Sequence, residues 1–529
     1  MNECYLRLDT KLEPLSWQWY SWPYLIFPAT AACNIAERHI PIMKSYISAP
    51  KLHEQALKNP KLIGGPYADL KGKYIEEVKD LIKYTEDKCY DLLELNHSLK
   101  ELDSKLQNEF DGDSLENFYE KIPSNLRGMI ELVYDLNNHP SIRLIEALFY
   151  KRYDIRSGQG LALSTIKGDF RPFVLSTPYI KRDKVLNLQI PFDDERIDKL
   201  AQARFSKVRF KEMSELFDIK ESDVELFKSF FTDREPYFES QKKYVGNGVR
   251  IRYFGHACVL FETKEVSILV DPVISYDFYN DTPRFSFKDL PDNIDYVLLT
   301  HNHQDHVLIE TLLQLRYKVK NVVVPSNNKG FLADPSLKMV LKHLGFKSII
   351  VLDELESIAI NGGEIIGLPF FGEHADLNIQ SKIAYFLNLK GTKIILAADS
   401  NNIEPKLYDF IFNYLGPIDI LFIGMECDGA PLTWLYGPLL SRQIKKSYDN
   451  SRTLSGSNFH RAWTLAKQSQ CKHAYVYAMG QEPWLGYIMA LEYTSDSIQI
   501  IESNKFIEKC LENNILSERL YGQKEWILS

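Results

Sequence analysis

A chain of 529 residues with 45% hydrophobic and 25% charged side chains holds material for more than one hydrophobic core, so two domains are expected rather than one. A net charge of −8, with Lys and Arg nowhere concentrated, argues against nucleic acid as a partner. The apolar runs are only strand-length, and the first ten residues mix in Glu3, Arg7 and Asp9, so neither a membrane span nor a secretory signal is expected and the protein reads as cytoplasmic.

From Ala68 to about Phe110 apolar residues (Ile75, Val78, Leu81, Ile82, Leu92, Leu93, Leu99, Leu102) recur at three- and four-residue steps, which predicts a long helix or a helical hairpin. Helices are also predicted over Ser141 to Arg152 and over Ser222 to Phe231, the latter capped by Ser222 and Asp223. Between them, Phe170 to Pro191 carries prolines and short apolar runs that suit loops and a few strands. The clusters Lys181-Arg182-Asp183-Lys184 and Gln241-Lys242-Lys243 read as solvated surface. The turn-rich Tyr244-Val245-Gly246-Asn247-Gly248 then marks a change of texture, and from Val249 onward short β-branched strands alternate with helices. The expected division is therefore residues 1–245, a mixed, helix-rich α+β domain, and residues 246–529, an α/β domain. Cys4, Cys33, Cys89, Cys258, Cys427, Cys471 and Cys510 stand singly, which argues against a zinc ribbon or a disulfide framework.

The chemistry concentrates in one place. A strand, Asp295 to Thr300, runs directly into His301-Asn302-His303-Gln304-Asp305-His306, and a helix resumes over Leu308 to Leu315. Two histidines one residue apart, followed by Asp and His on the next turn, let one segment give His301 and His303 to one metal and Asp305 and His306 to another. A lone loop histidine is usually structural, but three with an aspartate in six residues are not.

This hexapeptide matches the H-x-H-x-D-H signature of the metallo-β-lactamase superfamily, and residues 249 to about 500 resemble it throughout. The resemblance implies an αββα sandwich for the C-terminal domain. Val249 to Glu262 and Val266 to Pro272 look like its opening strands, ending in Asp271, which would hydrogen-bond a metal-bound histidine. Further ligands are expected where the superfamily places them: Glu373 or His374, then Asp399 at the end of the strand Lys393 to Ala398, then His460, with His473 as a weaker competitor in a buried strand. A glutamate ligand at 373 would give the site three carboxylates, hard oxygen donors that favour iron and oxygen chemistry over hydrolysis.

At Glu373-His374 the resemblance narrows to the diiron oxygenases typified by the amino-acid β-hydroxylase of chloramphenicol biosynthesis, and it extends over the whole chain. It implies His301, His303, Asp305, His306, Glu373, Asp399 and His460 as ligands of two iron ions, with Glu373 and Asp399 as the carboxylates best able to bridge and His374 behind them. It implies O2 as co-substrate, an amino acid held as a thioester on a nonribosomal peptide synthetase carrier domain, an external electron donor, and a homodimer through the N-terminal region; the docking surface for the carrier is expected on the N-terminal domain together with the rim of the metal cleft. The loop Gly424 to Pro438 follows a strand beside the site, so Glu426 and Asp428 are expected to bind an amino group and Trp434 and Tyr436 to pack on a side chain. Cys427 is not expected to act as a nucleophile. The rival reading is a dizinc hydrolase of phosphodiesters, lactones or thioesters, which needs nearly the same ligands.

Overall fold

Strand alternation sets the layers of the second half. In Val249–Gly255 the residues Val249, Ile251 and Tyr253 meet Phe261, Ile268, Leu387 and Ile394 in one buried cluster, while Phe254 joins a second cluster on the opposite face. Every residue of this strand is buried, the pattern of a sheet covered on both sides. The computed structural model describes residues 3–59, 62–110, 112–237 and 243–528; Gln241 and Lys242 of the basic cluster named above lie outside the described residues.

Two seven-stranded sheets face each other across the first of these clusters. One runs in the order Ile349–Leu352, Val319–Pro325, Ile294–Leu298, Ser267–Val270, Cys258–Glu262, Val249–Gly255, Lys524–Leu528, its first four strands parallel and the rest antiparallel. The other runs Ser357–Ile360, Gly363–Leu368, Ala384–Leu389, Thr392–Leu396, Ile420–Gly424, His473–Tyr477, Leu516–Arg519, its first four strands antiparallel and its last four parallel. Helices Lys406–Leu415, Phe459–Ser469 and Ile498–Glu512 pack Ile411, Leu465 and Phe506 against the outer face of the second sheet. The outer face of the first is covered by Ile309–Leu315, by Leu337–His343 and by the N-terminal half. The C-terminal unit is thus the αββα sandwich that the hexapeptide implied.

The N-terminal half is mixed. It has a four-stranded antiparallel sheet ordered Trp19–Tyr20, Thr10–Ser16, Gln159–Thr165, Leu186–Gln189, and a three-stranded one ordered Val208–Arg209, Glu3–Leu6, Phe231–Thr232. The long helical pattern resolves into Ile75–Lys88 and Tyr90–Glu109, broken at Cys89, which leaves helical geometry at φ −105°. The helix read over Ser141 to Arg152 is only half right. Pro140–Leu144 pairs with Ile130–Tyr134 as a hairpin, and the helix is Glu146–Arg152. Likewise the helix near residue 222 is shorter than its periodicity suggests, Val224–Lys228, because Phe231–Thr232 is drawn into the sheet with Tyr5 and Leu6. Among the described residues no helix is long and apolar enough to cross a membrane.

The two halves share one apolar core and a buried polar hub. Glu310, on the helix that follows the hexapeptide, accepts hydrogen bonds from the hydroxyls of Tyr20 (2.7 Å) and Tyr276 (2.8 Å) and from the Arg171 guanidinium (2.8 Å). Arg171 also reaches Glu13 at 2.7 Å, and Glu13 pairs with Lys11 at the same distance. Burial raises the Glu13 carboxyl, but Lys11 and Arg171 outweigh it and hold the group at about 2.

Two outcomes follow. Arg171→Met strands the buried Glu310 charge and is expected to lower unfolding free energy by about 3–5 kcal/mol, with Arg171→Met/Glu310→Gln recovering most of the loss in urea titrations. Because Glu13 titrates below its ordinary value of 4.5, its contribution is complete above that pH and disappears as pH falls toward about 2, so Glu13→Gln should flatten the acid limb of a stability–pH curve.

Candidate metal centre

The site forms where strands end. Asp271 follows Ser267–Val270, the hexapeptide follows Ile294–Leu298, Asp399 follows Thr392–Leu396 and Glu426 follows Ile420–Gly424, all at carboxyl ends of parallel-paired strands, where open sheets present ligand sites. Glu373 comes from the loop joining Gly363–Leu368 to Ala384–Leu389. Reaching one point from both sheets takes sharp turns: His256 (φ 53°), Asp271 (38°), Glu373 (68°), Ala398 (48°) and Ala478 (54°) all adopt left-handed backbone without being glycine. Each costs about 1–3 kcal/mol, a strain that concentrates at functional sites. Gly424 is required for another reason, since a Cβ there would sit 2.5 Å from Asp399 Oδ1.

The donors converge. His303 Nδ1 lies 2.6 Å from Glu373 Oε1, His301 Nε2 lies 3.7 Å from Glu373 Oε2 and 3.9 Å from Asp399 Oδ2, and His306 Nε2 lies 3.1 Å from Asp399 Oδ2 and 3.5 Å from Asp305 Oδ2. Three sets among the described residues, His301/His303/Glu373, His301/His306/Asp399 and His256/Asp305/His306, each offer atoms within 4.8 Å of one another, and all these residues are buried.

Hydrogen bonds behind the rings decide which nitrogen faces inward. Asp271 accepts from the Thr300 backbone N–H (2.8 Å) and from its hydroxyl (2.6 Å), and its Oδ2 lies 2.8 Å from His306 Nδ1. The Thr300 hydroxyl spends its one proton on Asp271, so toward His301 Nδ1, 3.0 Å away, it can only accept. His301 and His306 therefore carry hydrogen on Nδ1 and turn the Nε2 lone pair inward. His303 is reversed: its Nε2 meets the Tyr436 hydroxyl at 3.0 Å and its Nδ1 faces Glu373.

These residues fit a pair of cations. His301 Nε2 and Asp399 Oδ1 are buried without a hydrogen-bond partner, an arrangement that costs free energy unless a metal satisfies it. Burial raises the Glu373 carboxyl, yet His303 and His374 outweigh it and hold the group at about 2, so it is an ionised donor. Burial leaves Asp399 above its usual range even with His306 beside it, so added positive charge would stabilise it. Three imidazoles and three carboxylates (Asp305, Glu373, Asp399) form a set rich in hard oxygen donors.

His460 is not brought to this cluster. Asn458 caps the helix Phe459–Ser469 by accepting from Arg461 N, so His460 falls in its first turn and is exposed to solvent. His473 is also elsewhere, on an inner strand of the second sheet. Tyr436, expected against a side chain of substrate, is instead buried behind His303. His374 is buried against Glu373, and its ring lies 4.5 Å from that of His303. Burial pushes the Cys427 thiol up to about 11, which leaves it inert at neutral pH.

His256 was missed. At the tip of the opening hairpin its Nδ1 accepts from Gly480 N–H at 3.1 Å, so its proton sits on Nε2, 3.1 Å from Asp305 Oδ2. It donates to Asp305 and orients it. The signal was present in Gly255-His256-Ala257-Cys258, a histidine set between two strands with no room for a loop.

A cleft of about 1060 Å3 opens over His303, Asp305, Glu373 and Asp399, walled by Glu426, Asp428 and Trp434 on one side and by N-terminal residues including Phe173 and Gly64 on the other. Trp434 ties the walls together, donating from Nε1 to Gly64 O at 2.9 Å and stacking near Phe173.

Residues 5–236 match the diiron non-heme β-hydroxylase N-terminal domain, and residues 250–433 match a β-lactamase superfamily domain. The 4-amino-L-phenylalanyl-[CmlP-peptidyl-carrier-protein] 3-hydroxylase of Streptomyces venezuelae is 33% identical over 522 residues, 98% of each chain. The chain belongs to the diiron non-heme β-hydroxylase family. The crystal structure of CmlA, a diiron β-hydroxylase from Streptomyces venezuelae, superposes over 100% of both chains with a TM-score of 0.93 at 33% identity. A UPF0173 metal-dependent hydrolase of Flavobacterium johnsoniae is 29% identical over 156 residues, which is 27% of this chain and 65% of that protein. Family membership makes this protein a diiron enzyme that uses O2.

Asp271→Asn removes the carboxylate that orients His306 and is expected to weaken iron binding about 10–100-fold, read by chelator competition. His460→Ala should retain the full iron content of the wild type in the same assay.

Proposed function

We propose that this protein hydroxylates the β-carbon of an amino acid held as a thioester on the phosphopantetheine arm of a nonribosomal peptide synthetase carrier domain, with two electrons from an external donor. The observation that carries the reading is the pairing of a carboxylate-rich donor set with a cleft of about 1060 Å3, just above the roughly 300–1,000 Å3 that small-molecule pockets occupy. A free amino acid would leave most of that space unfilled; an aminoacyl arm extends along it.

His301, His303 and Glu373 would hold one iron and Asp305, His306 and Asp399 the other, with Asp399 Oδ2 facing both His306 (3.1 Å) and His301 (3.9 Å). Bound iron supplies the reduction of O2; one oxygen atom enters the C–H bond, and the other leaves as water with the two electrons and two protons. The chain supplies position. Burial, together with Asp399, Asp305 and Glu373, pushes the Glu426 carboxyl well above its ordinary range, and the ammonium group of an amino acid would offset that crowding. Asp428 stands farther out on the same wall, and Trp434 offers a flat apolar surface. Holding the ammonium at one end and the thioester along the cleft fixes which carbon faces the irons.

Protein purified from iron-supplemented medium is expected to carry two irons per chain and, with a reductant and O2, to add the mass of one oxygen atom to an aminoacyl carrier domain. Glu373→His should lose this activity and change the near-ultraviolet absorption. Zinc-loaded protein that hydroxylates nothing after iron supplementation, yet cleaves esters or thioesters, would overturn the reading. Glu426→Gln should raise KM for the aminoacyl carrier about tenfold with a smaller change in kcat.

A further inference from the structure

The loop between Val319–Pro325 and Leu337–His343 carries a carboxylate that the metal centre does not use. Asp334 is fully buried. It accepts from the Asn328 backbone N–H in its own loop (2.6 Å), from the Gln380 N–H (2.8 Å), and from both the N–H and the hydroxyl of Ser381. The loop is itself anchored in the N-terminal half. Tyr24 donates to Ala333 O at 2.7 Å, and the Glu146 carboxylate takes the Asn327 side-chain amide and the Ser336 N–H, each at 2.9 Å.

Residues 380–383 connect this carboxylate to the metal ligands. Ser381 O accepts from the Asn302 N–H at 3.3 Å and the Ile383 N–H donates to Thr300 O at 2.7 Å, which sets Lys382 opposite His301. Lys382 then gives its ammonium to Gly372 O at 3.1 Å, one residue before Glu373. One short segment thus touches both the arm that carries His301 and His303 and the arm that carries Glu373. The second arm needs the support, because Gly372, Glu373, Ala375 and Asp376 are all left-handed, a run that a free loop would relax. Arg452 holds its far side, donating to Ala375 O at 2.9 Å.

We propose that Asp334 is a positioning residue for the oxygenase reaction: by fixing Ser381 and, through it, Lys382, it sets the spacing between Glu373 and the His301–His303 pair. The inference rests on the assignment of those three ligands to one iron, made above. A reactive ligand set must be held within about 0.5 Å of its working geometry, and supporting hydrogen bonds do the holding. Removing the carboxylate leaves the N–H groups of Gln380 and Ser381 without their acceptor, so the segment must move to find another. Both arms move with it.

The test uses full-length iron-loaded protein and reads three things: release of iron to a colorimetric chelator, the near-ultraviolet spectrum, and kcat and KM on an aminoacyl carrier. Asp334→Ala is expected to speed release of one of the two irons about tenfold while the other leaves at the wild-type rate, and to shift the absorption. It should lower kcat about tenfold and leave KM for the carrier within about twofold. Where Asp334→Ala does not fold, Ser381→Ala, which removes only the hydroxyl bond to Asp334, decides in its place by faster release of one iron. Lys382→Met should free the same iron, and the double variant should do no more than the more severe single one, because both act on one linkage. Wild-type release and spectra in every folded variant, whatever the melting temperatures, would overturn the positioning role and leave the ligand assignment intact. Release of different irons in His303→Ala and Glu373→Ala would overturn that assignment and this inference with it.

Discussion

Everything at the centre depends on turning the correct nitrogen of each imidazole inward. An imidazole offers one lone pair, and which nitrogen carries it is set by the hydrogen bond on the other side of the ring. Asp271 and Thr300 set it for His301 and His306, and Tyr436 for His303. The Asp271 carboxylate accepts three hydrogen bonds, two from Thr300 and one from His306, which hold it behind the ring rather than at the metal. Gly480 acts in the opposite sense on His256: by donating to Nδ1 it keeps the proton on Nε2 and makes that histidine a donor to Asp305. Similar side chains a few ångströms apart thus take different roles because their backs face different groups.

That constraint explains the backbone. Non-glycine residues at left-handed φ surround the site: His256, Asp271, Ala398 and Ala478 turn the chain as it leaves a strand, and Glu373, Ala375 and Asp376 turn it within one loop. A relaxed turn would carry Glu373 or Asp399 past the meeting point. The rigid frame that tolerates this strain is the pair of sheets, packed through the fully buried cluster from Val249 to Tyr477.

What the sequence disclosed follows from how local each signal was. The hexapeptide, its preceding strand and following helix were readable because six adjacent residues carry the chemistry, and Asp399 was readable because it closes an apolar strand. His460 rests on the family resemblance alone, because its flanks carry no signature as dense as the hexapeptide. The cap at Asn458 starts the helix sooner and sends the side chain to solvent. Tyr436 was noticed for its loop, but the contact with His303 is 133 residues long in sequence and has no local trace. In the N-terminal half, Ser141 to Leu144 had helical spacing, yet pairing with Ile130–Tyr134 satisfies its backbone as a strand, tertiary context overriding propensity.

The N-terminal half is best understood through what it does to the sandwich. A metallo-β-lactamase site lies at an open edge where strand ends meet solvent. Here Arg38 reaches from the first half to donate to the carbonyls of Trp434 and Leu435, at 2.7 and 3.0 Å, while Tyr24 donates to Ala333 O and Trp434 donates back to Gly64. The bonds at Trp434 and Leu435 pin the loop bearing Glu426, Trp434 and Tyr436 against a second wall. An open edge becomes a cleft with the buried donors at its floor. For chemistry that generates an oxidant strong enough to attack a C–H bond, that enclosure matters as much as the ligands, because the oxidant then meets the carbon held above it. The same loop joins the enclosure to the metal site: Trp434 faces the cleft, and two residues later Tyr436 touches His303.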